Sequence, residues 1–406
     1  MSLIVQKFGG TSVANAERVN YVAGIVTDTY KAGNSVVVVV SAQGDTTDDL
    51  ISKAAEINPN PSKREMDVLL STGEQISMSL LAMAIQKMGY PVVSLTGWQA
   101  GLKTDYSYGN ARIESIDSGR IQMEIDKGKI VIVAGFQGIN KYDDITTLGR
   151  GGSDTTAVAF AAELKADLCQ IYTDVDGIYT TDPRIVPNAS KLKEISFDEM
   201  LELASLGAQV LHNRSVEMAK KYNVNLEVLS SFKKAPGTKV MEVINMEKML
   251  VKGVARDNNV ARISVIGVPD QPGIAFKIFS MLAQKKINVD IILQSIGRSN
   301  TKDISFTISQ NHLETALNLL NENLPVIKGS SVAYDDNISK VSIVGAGMAT
   351  NPGVAAKMFE SLYESGINIQ MIATSEIKIS VLINRSEAEK AVNVIHEYFH
   401  LGSLMA

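Results

Sequence analysis

Five valines in succession, Val36 to Val40 in the run "SVVVVVS", leave a strand with no polar face. Such a strand has to be covered on both sides, as parallel strands are in α/β folds. Similar short β-branched runs recur: "LIVQKF" from Leu3, "PVVSLT" from Pro91, "KIVIVAGF" from Lys129, "LCQIYTD" from Leu168 and "NLEVLS" from Asn225. Amphipathic segments lie between them. Val19, Val22, Ala23, Val26 and Tyr30 recur at helical spacing, and Arg64 to Met88 carries a longer helical pattern. The alternation, to about Ile244, predicts an α/β fold: a mainly parallel sheet sandwiched by helices. Ligands in such folds sit outside the carboxyl ends of the strands.

Composition narrows the function. The 406 residues are 45% hydrophobic and 20% charged, with a net charge of −5 and no dense basic stretch. Nucleic acid is therefore not an expected partner. Cys169 is the only cysteine, so an internal disulfide and a cysteine-cluster metal site are excluded, and a reducing cytoplasm fits. Its setting in "DLCQIYTD" reads as an inert core position. No apolar run reaches the ~18 residues that suggest a membrane span. The N-terminus lacks the basic-then-apolar order of a secretion signal.

The stretch "FKKAPGTKVMEVINMEKMLVKG", Phe232 to Gly253, breaks the pattern and reads as the exit from a first domain. The chain beyond it contains an internal repeat. "PGIAFKIFSMLAQKKINVDIILQS" (Pro272 to Ser295) aligns without a gap to "PGVAAKMFESLYESGINIQMIATS" (Pro352 to Ser375), with ten of twenty-four positions identical. Each copy comes after a strand ending in glycine and precedes another strand and a helical segment. With a closing strand each makes a ferredoxin-like βαββαβ module. The expected boundaries are 1–244 for the first domain, 245–260 for a linker, and 261–335 and 336–406 for the modules.

Chemistry concentrates in glycine turns at strand ends: "KFGGTSV" after the first strand, "SAQGDTTD" after the second, then "AGFQG", "LGRGGSDTTA" and "YTDVDGIYTTDPR". One such turn only reverses a chain. Five together would crowd backbone N–H groups, hydroxyls, Lys7, Arg150 and Arg184 at one sheet edge. N–H groups at helix N-termini suit phosphate. Lys7 suits a phosphate oxygen as a point charge, and Arg150 a carboxylate as a fork. Neither G-x-x-x-x-G-K-[ST] nor G-x-G-x-x-G occurs. The histidines, His212, His312, His396 and His400, lie outside the glycine turns and read as surface or helix residues. Such a site is poorly suited to proton abstraction. It suits phosphoryl transfer to an acceptor that is already ionised, such as a carboxylate.

"KFGGTSV", "SAQGDTTD", "LLSTGEQIS", "VAGFQG", "TTLGRGGSDTTA" and "YTDVDGIYTTDPRIVP" closely resemble the aspartate kinases, and the tail resembles their paired ACT domains. The resemblance runs from about Leu3 to His400. It is to the monofunctional kind, which carries no homoserine dehydrogenase domain. It implies an amino-acid-kinase fold and the transfer of the γ-phosphoryl group of MgATP to the β-carboxylate of L-aspartate, the first step towards lysine, threonine and methionine. It implies that Lys7, Gly9 and Gly10 contact the transferring group, that Ser41 lies near the nucleotide phosphates, and that Thr173, Asp174, Tyr179 and Arg184 hold ATP. Thr47, Glu74, Arg150, Gly151, Gly152 and Ser153 would bind aspartate, with Glu74 on its ammonium, and Asp154 would orient Lys7. Magnesium would be held mainly by phosphate oxygens and water. Lys233, Lys234 and Lys239 leave a second catalytic cation open. Another carboxylate kinase of the same fold and a catalytically silent amino-acid sensor are the competing readings. In some relatives a separate small subunit begins internally, near the position of Met246 and Met249.

The repeats differ where a ligand would be read. Asp270 precedes Pro272-Gly273 in the first, whereas Ala349 and Thr350 stand in that region of the second. A carboxylate beside a helix start could receive an amino acid, Asp270 taking its ammonium. The expected effector site comprises Asp270, Gly273, Ile274, Ala275, Asn288, Val289, Asp290 and Gln294. The resemblance implies lysine, threonine or both as effector, and a homodimer or higher oligomer joined through the ACT domains.

Overall fold

A computed structural model describes residues 2–206, 210–242, 250–295, 300–348 and 351–403. The chain divides into two compact units. Met1–Tyr179, Lys191–Ser205 and Gln209–Met246 form the first; Thr180–Ser190, Leu206–Ala208 and Glu247–Ala406 form the second.

All six anticipated strands of the first unit fall in one eight-stranded sheet. Its order is Glu194–Ser196, Thr238–Met241, Leu226–Ser230, Leu168–Thr173, Leu3–Phe8, Ser35–Val40, Ile130–Ala134 and Val92–Leu95. Within it Leu226–Ser230 and Thr238–Met241 pair antiparallel; the other neighbours are parallel. Val36 to Val40 are all fully buried, as a strand without a polar face requires. The helix Ala16–Lys31 starts at Asn15, whose side chain accepts from the Arg18 N–H, and it buries Val19, Val22, Ala23 and Val26. The longer helix spans Lys63–Lys87. By length and composition it could cross a membrane. Instead Met78, Leu81 and Ile85 join Phe8, Val22 and Val38 in the core.

Two features of this unit were not anticipated. A second sheet joins Ile113–Ile116, Leu102–Thr104, Gln137–Ile139 and Ile145–Thr147 in that order. Its strands of three or four residues are too short for a periodic signal. Within the stretch taken as the exit from the domain, Thr238–Met241 is a strand of the main sheet. Val240 there is buried, so the main sheet continues past Gly237.

In the second unit the first module is βαββαβ. Its antiparallel sheet runs Val289–Gln294, Thr301–Ile308, Ala261–Pro269, Ser331–Asp335, with Ile274–Gln284 and Leu313–Glu322 as its helices. Ile263, Val265, Ile278, Leu282, Phe306 and Leu320 fill its core. The second module has the sheet order Gly253–Asp257, Ile338–Val344, Lys378–Asn384, Met371–Thr374, with helices Val354–Glu364 and Ala388–Tyr398. Here the boundaries need correction. Gly253–Asp257 falls in the expected linker but pairs antiparallel with Ile338–Val344, and is the fourth strand of the second module's sheet. After the last helix the described chain makes only a short 3₁₀ turn, Leu401–Ser403. The first module is thus inserted between one strand of the second and the rest of it. Positions 243–249, with Met246 and Met249, lie outside the described residues.

Thr180–Ser190 also belongs to this unit. Val254 N–H donates to the Thr180 carbonyl, and Val186 enters the second module's core. His396 is a helix residue as expected, but buried: its Nε2 lies 2.9 Å from Thr180 Oγ1, and burial lowers its pKa. Cys169, in the first unit, is buried, and desolvation pushes its thiol pKa up, which fits the inert reading.

Candidate active site

Parallel pairing aligns Lys7 with Val39 on one side and Ile171 on the other, at the carboxyl end of the sheet's central strand. Lys7 is almost buried, and its Nζ lies 2.7 Å from Asp154 Oδ1. Asp154 sits in the first turn of the helix Gly152–Glu163, and its partner is the lysine. The pair opens into a cleft of about 830 Å³. Of the anticipated residues, Lys7, Gly10, Ser41, Thr47, Glu74, Arg150, Gly151, Gly152, Ser153 and Asp154 all line it.

Glu74 is the most perturbed group there. It is 3% exposed. Its Oε1 accepts from the Ala42 N–H at 3.0 Å, while Oε2 is buried without a hydrogen-bond partner among the described residues. Desolvation raises its pKa to about 7, against the lesser pull of the backbone hydrogen bonds. A buried carboxylate oxygen with no donor fits a cationic ligand group. Arg150 is exposed, held in a loop with Gly149 and Gly151 at positive φ. Gly151 is obligatory on two counts. Its φ is +67°, and an added Cβ would lie 2.2 Å from Cγ of His212. His212 therefore underlies the glycine turn, a contact between distant segments that sequence reading missed.

Other anticipated residues lie apart from the cleft lining. The Gly9 N–H donates to the Tyr172 carbonyl at 3.3 Å and is not free for a phosphate oxygen; parallel pairing of the two strands brings these atoms together. Thr173 Oγ1 donates to Asp174 Oδ1 at 3.0 Å. Tyr179 donates to Asp176 at 2.8 Å; burial first, and Asp176 next, push its pKa up to about 12. Arg184 falls in the second unit, where it pairs with Asp182 at 2.7 Å. Lys234 lies 4.0 Å from Asp28, and Lys239 is on the strand Thr238–Met241.

The cleft also holds residues that were not anticipated, among them Lys63, Asp67, Leu70, Tyr108, Asn110 and Thr147. A signal existed for three of them: Lys63, Asp67 and Leu70 lead up to Glu74 at helical spacing on one helix.

In the second unit, Asp270 is 57% exposed and pairs with Lys302 at 2.8 Å. Gly273 has a left-handed conformation just before the helix Ile274–Gln284; Ile274 is buried and Ala275 exposed. Asn288 and Gln294 are exposed, and Val289 is half-buried. Asp290 pairs with Lys340, a buried lysine of the second module that also lies 3.7 Å from Asp257. Ala349 and Thr350 lie outside the described residues.

Comparison with known proteins converges on one group. Residues 2–230 match the model of the amino acid kinase family, and residues 263–324 and 341–399 that of the ACT domain. The chain is 54% identical over 403 residues to an aspartokinase of Geobacillus stearothermophilus, spanning 99% of this chain and 98% of that one. An aspartokinase of Corynebacterium glutamicum is 51% identical over 408 residues, spanning 99% and 97%. Among solved structures, E. coli aspartokinase III in complex with aspartate and ADP aligns with a TM-score of 0.80 at 26% identity, covering 98% of this chain and 99% of that one.

Proposed function

The chain belongs to the aspartokinases of the amino acid kinase family, and from that premise we propose that its cleft transfers the γ-phosphoryl group of ATP to the β-carboxylate of L-aspartate, giving β-aspartyl phosphate and ADP. The observation that carries this reading is Glu74, a buried carboxylate with one oxygen unpartnered among the described residues, in the same cleft as the Lys7–Asp154 pair and Arg150. Glu74 receives the ammonium of aspartate, which returns the carboxyl to its ionised form. Arg150 grips the α-carboxylate as a fork, with Thr47 and the Gly151–Ser153 turn lining the pocket. The β-carboxylate is the nucleophile. It is ionised at neutral pH, so no general base is needed. Lys7, held by Asp154, offsets charge on the transferring group as the bond to the β-phosphate oxygen breaks.

Gly10 and Ser41 lie beside the nucleotide phosphates, and Thr173, Asp174 and Tyr179 serve ATP. Mg²⁺ would be held through the nucleotide and would neutralise charge on its phosphates. Among the described residues there is no group of three or more His, Cys, Asp or Glu side chains that could hold a metal ion; phosphate oxygens and water would serve as its main ligands. The modules at 263–324 and 341–399 regulate turnover. E. coli aspartokinase III has been solved in complex with lysine and aspartate, which supports lysine as an effector here, with threonine the other candidate. The assembly is a homodimer or larger, joined through the ACT modules, and works in the cytoplasm.

A coupled ADP-release assay tests the reading. Aspartate should support turnover, with glutamate and N-acetylglutamate far poorer. Equal use of all three, or none of aspartate, would overturn it. Repeating the assay with lysine, threonine and both identifies the effector.

A further inference from the structure

Two charged side chains that the proposed chemistry leaves unused grip the same pair of backbone segments. Asp67 is 1% exposed. Its Oδ2 accepts from the Gly109 N–H at 2.9 Å and the Thr147 N–H at 3.0 Å, and its Oδ1 accepts from Thr147 Oγ1 at 2.6 Å. Arg214, half-buried on the helix Asn213–Tyr222, donates to the Leu148 carbonyl at 3.0 Å and the Ala111 carbonyl at 2.8 Å. Between these grips the Ala111 N–H donates to the Thr147 carbonyl at 2.9 Å. An anion thus holds the N–H side of segments 109–111 and 147–148, and a cation holds the carbonyl side. Arg150 is two residues beyond Leu148. Asp67 lies two turns before Glu74 on one helix.

From this juxtaposition we propose that Asp67 and Arg214 are positioning residues for the acceptor site, fixing the Arg150 loop relative to Glu74 so that both ends of the amino acid are gripped at one spacing. The inference rests on the aspartate reading above. Neither residue has a bond-making role: both oxygens of Asp67 are engaged with the loops, and Arg214 spends its fork on two carbonyls. A carboxylate is suited to take several N–H and O–H donors at once, and only a guanidinium spans two carbonyls with fixed geometry. The arrangement was hidden in sequence because the partners are main-chain atoms 42 to 103 positions away.

Asp67→Asn and Arg214→Lys test it in the full-length protein. Asn turns an amide donor towards N–H groups, and Lys cannot bridge both carbonyls. Each folded variant should raise KM for aspartate by about 10- to 100-fold, the scale on which small misplacements act, while KM for ATP changes little. Free guanidinium at low millimolar concentration should partly restore KM for aspartate in Arg214→Ala. Deuterium uptake at backbone amides of 145–151 should rise in the variants, with the strand Ser35–Val40 unchanged. Unaltered aspartate KM, or parallel shifts for aspartate and ATP, would overturn the proposal. If Asp67→Asn does not fold, the Arg214 variants carry the same comparison. If the parent protein does not use aspartate, the functional reading fails instead, and the exchange measurement alone decides whether these residues hold the loop.

Discussion

Burial places the Glu74 carboxyl at odds with its own charge, and pH exposes the conflict. Its pKa of about 7 in the folded protein lies above the ordinary carboxyl value. Between those two values the folded state binds the extra proton, so this group's contribution to stability falls as pH rises from about 4.5 to 7, and stays lost above. Glu74→Gln keeps an acceptor for the Ala42 N–H and removes the buried charge. Thermal melts at pH 8 should show it roughly 1–3 kcal/mol more stable than the parent, a gap that closes near pH 5. The same variant should need far more aspartate; a normal aspartate KM would remove Glu74 from the ammonium site. Lys7→Ala should lower kcat by ~10²-fold or more with a smaller change in KM for ATP, because its charge matters most in the transition state. Near-normal kcat in a folded Lys7→Ala protein takes the lysine out of the mechanism. At this scale much of the cleft was legible. Lys7, Glu74, Arg150 and Asp154 each stand in or beside a short motif whose residue types announce their chemistry. Asp67, Arg214 and His212 were not legible, since what they touch is decided by how distant segments meet.

Elements were legible where their period had room to show. The strands of five or six residues with continuous apolar runs, such as Ser35–Val40 and Ile130–Ala134, and the helices Ala16–Lys31 and Lys63–Lys87, come from pattern alone. Leu102–Thr104 and Gln137–Ile139 do not, because three residues carry no period and their stability comes from neighbours. The helix Lys63–Lys87 also contains a test of how closely an element must approach the site. A Cβ on Gly73 would lie 2.8 Å from the Ala42 Cβ and 3.6 Å from Thr46 Cγ2. In an isolated helix Gly→Ala stabilises by up to about 1 kcal/mol. Here the helix must move off the 41–46 segment, so Gly73→Ala should destabilise by roughly 1–3 kcal/mol and raise KM for aspartate, read from urea unfolding and steady-state kinetics. A more stable variant with normal kinetics would show that the segment yields freely.

For the whole molecule, regulation is the property to test. Asp270 is half-exposed, but the side chain of Lys302, with which it pairs, is only 12% exposed, so removing the carboxylate leaves a largely buried ammonium without this partner. Asp270→Ala should therefore lower the melting temperature yet keep turnover without effector, while inhibition by lysine or threonine requires roughly tenfold more effector or disappears, in line with an ordinary coupling free energy. An unchanged inhibitor titration moves the sensor elsewhere. The order of strands in the second unit has a consequence for heredity. Gly253–Asp257 completes the sheet that Ile338–Val344 begins, so the two repeats are nested rather than laid end to end. A genetic crossover that exchanged one repeat for the other at the point between them, near position 336, would separate a strand from its sheet and leave an open edge. Chimaeras joined there should be insoluble; a join before Gly253 keeps both sheets whole but still parts Thr180–Ser190, with Val186, from the second module's core, so the two modules form one block of inheritance only together with that earlier segment.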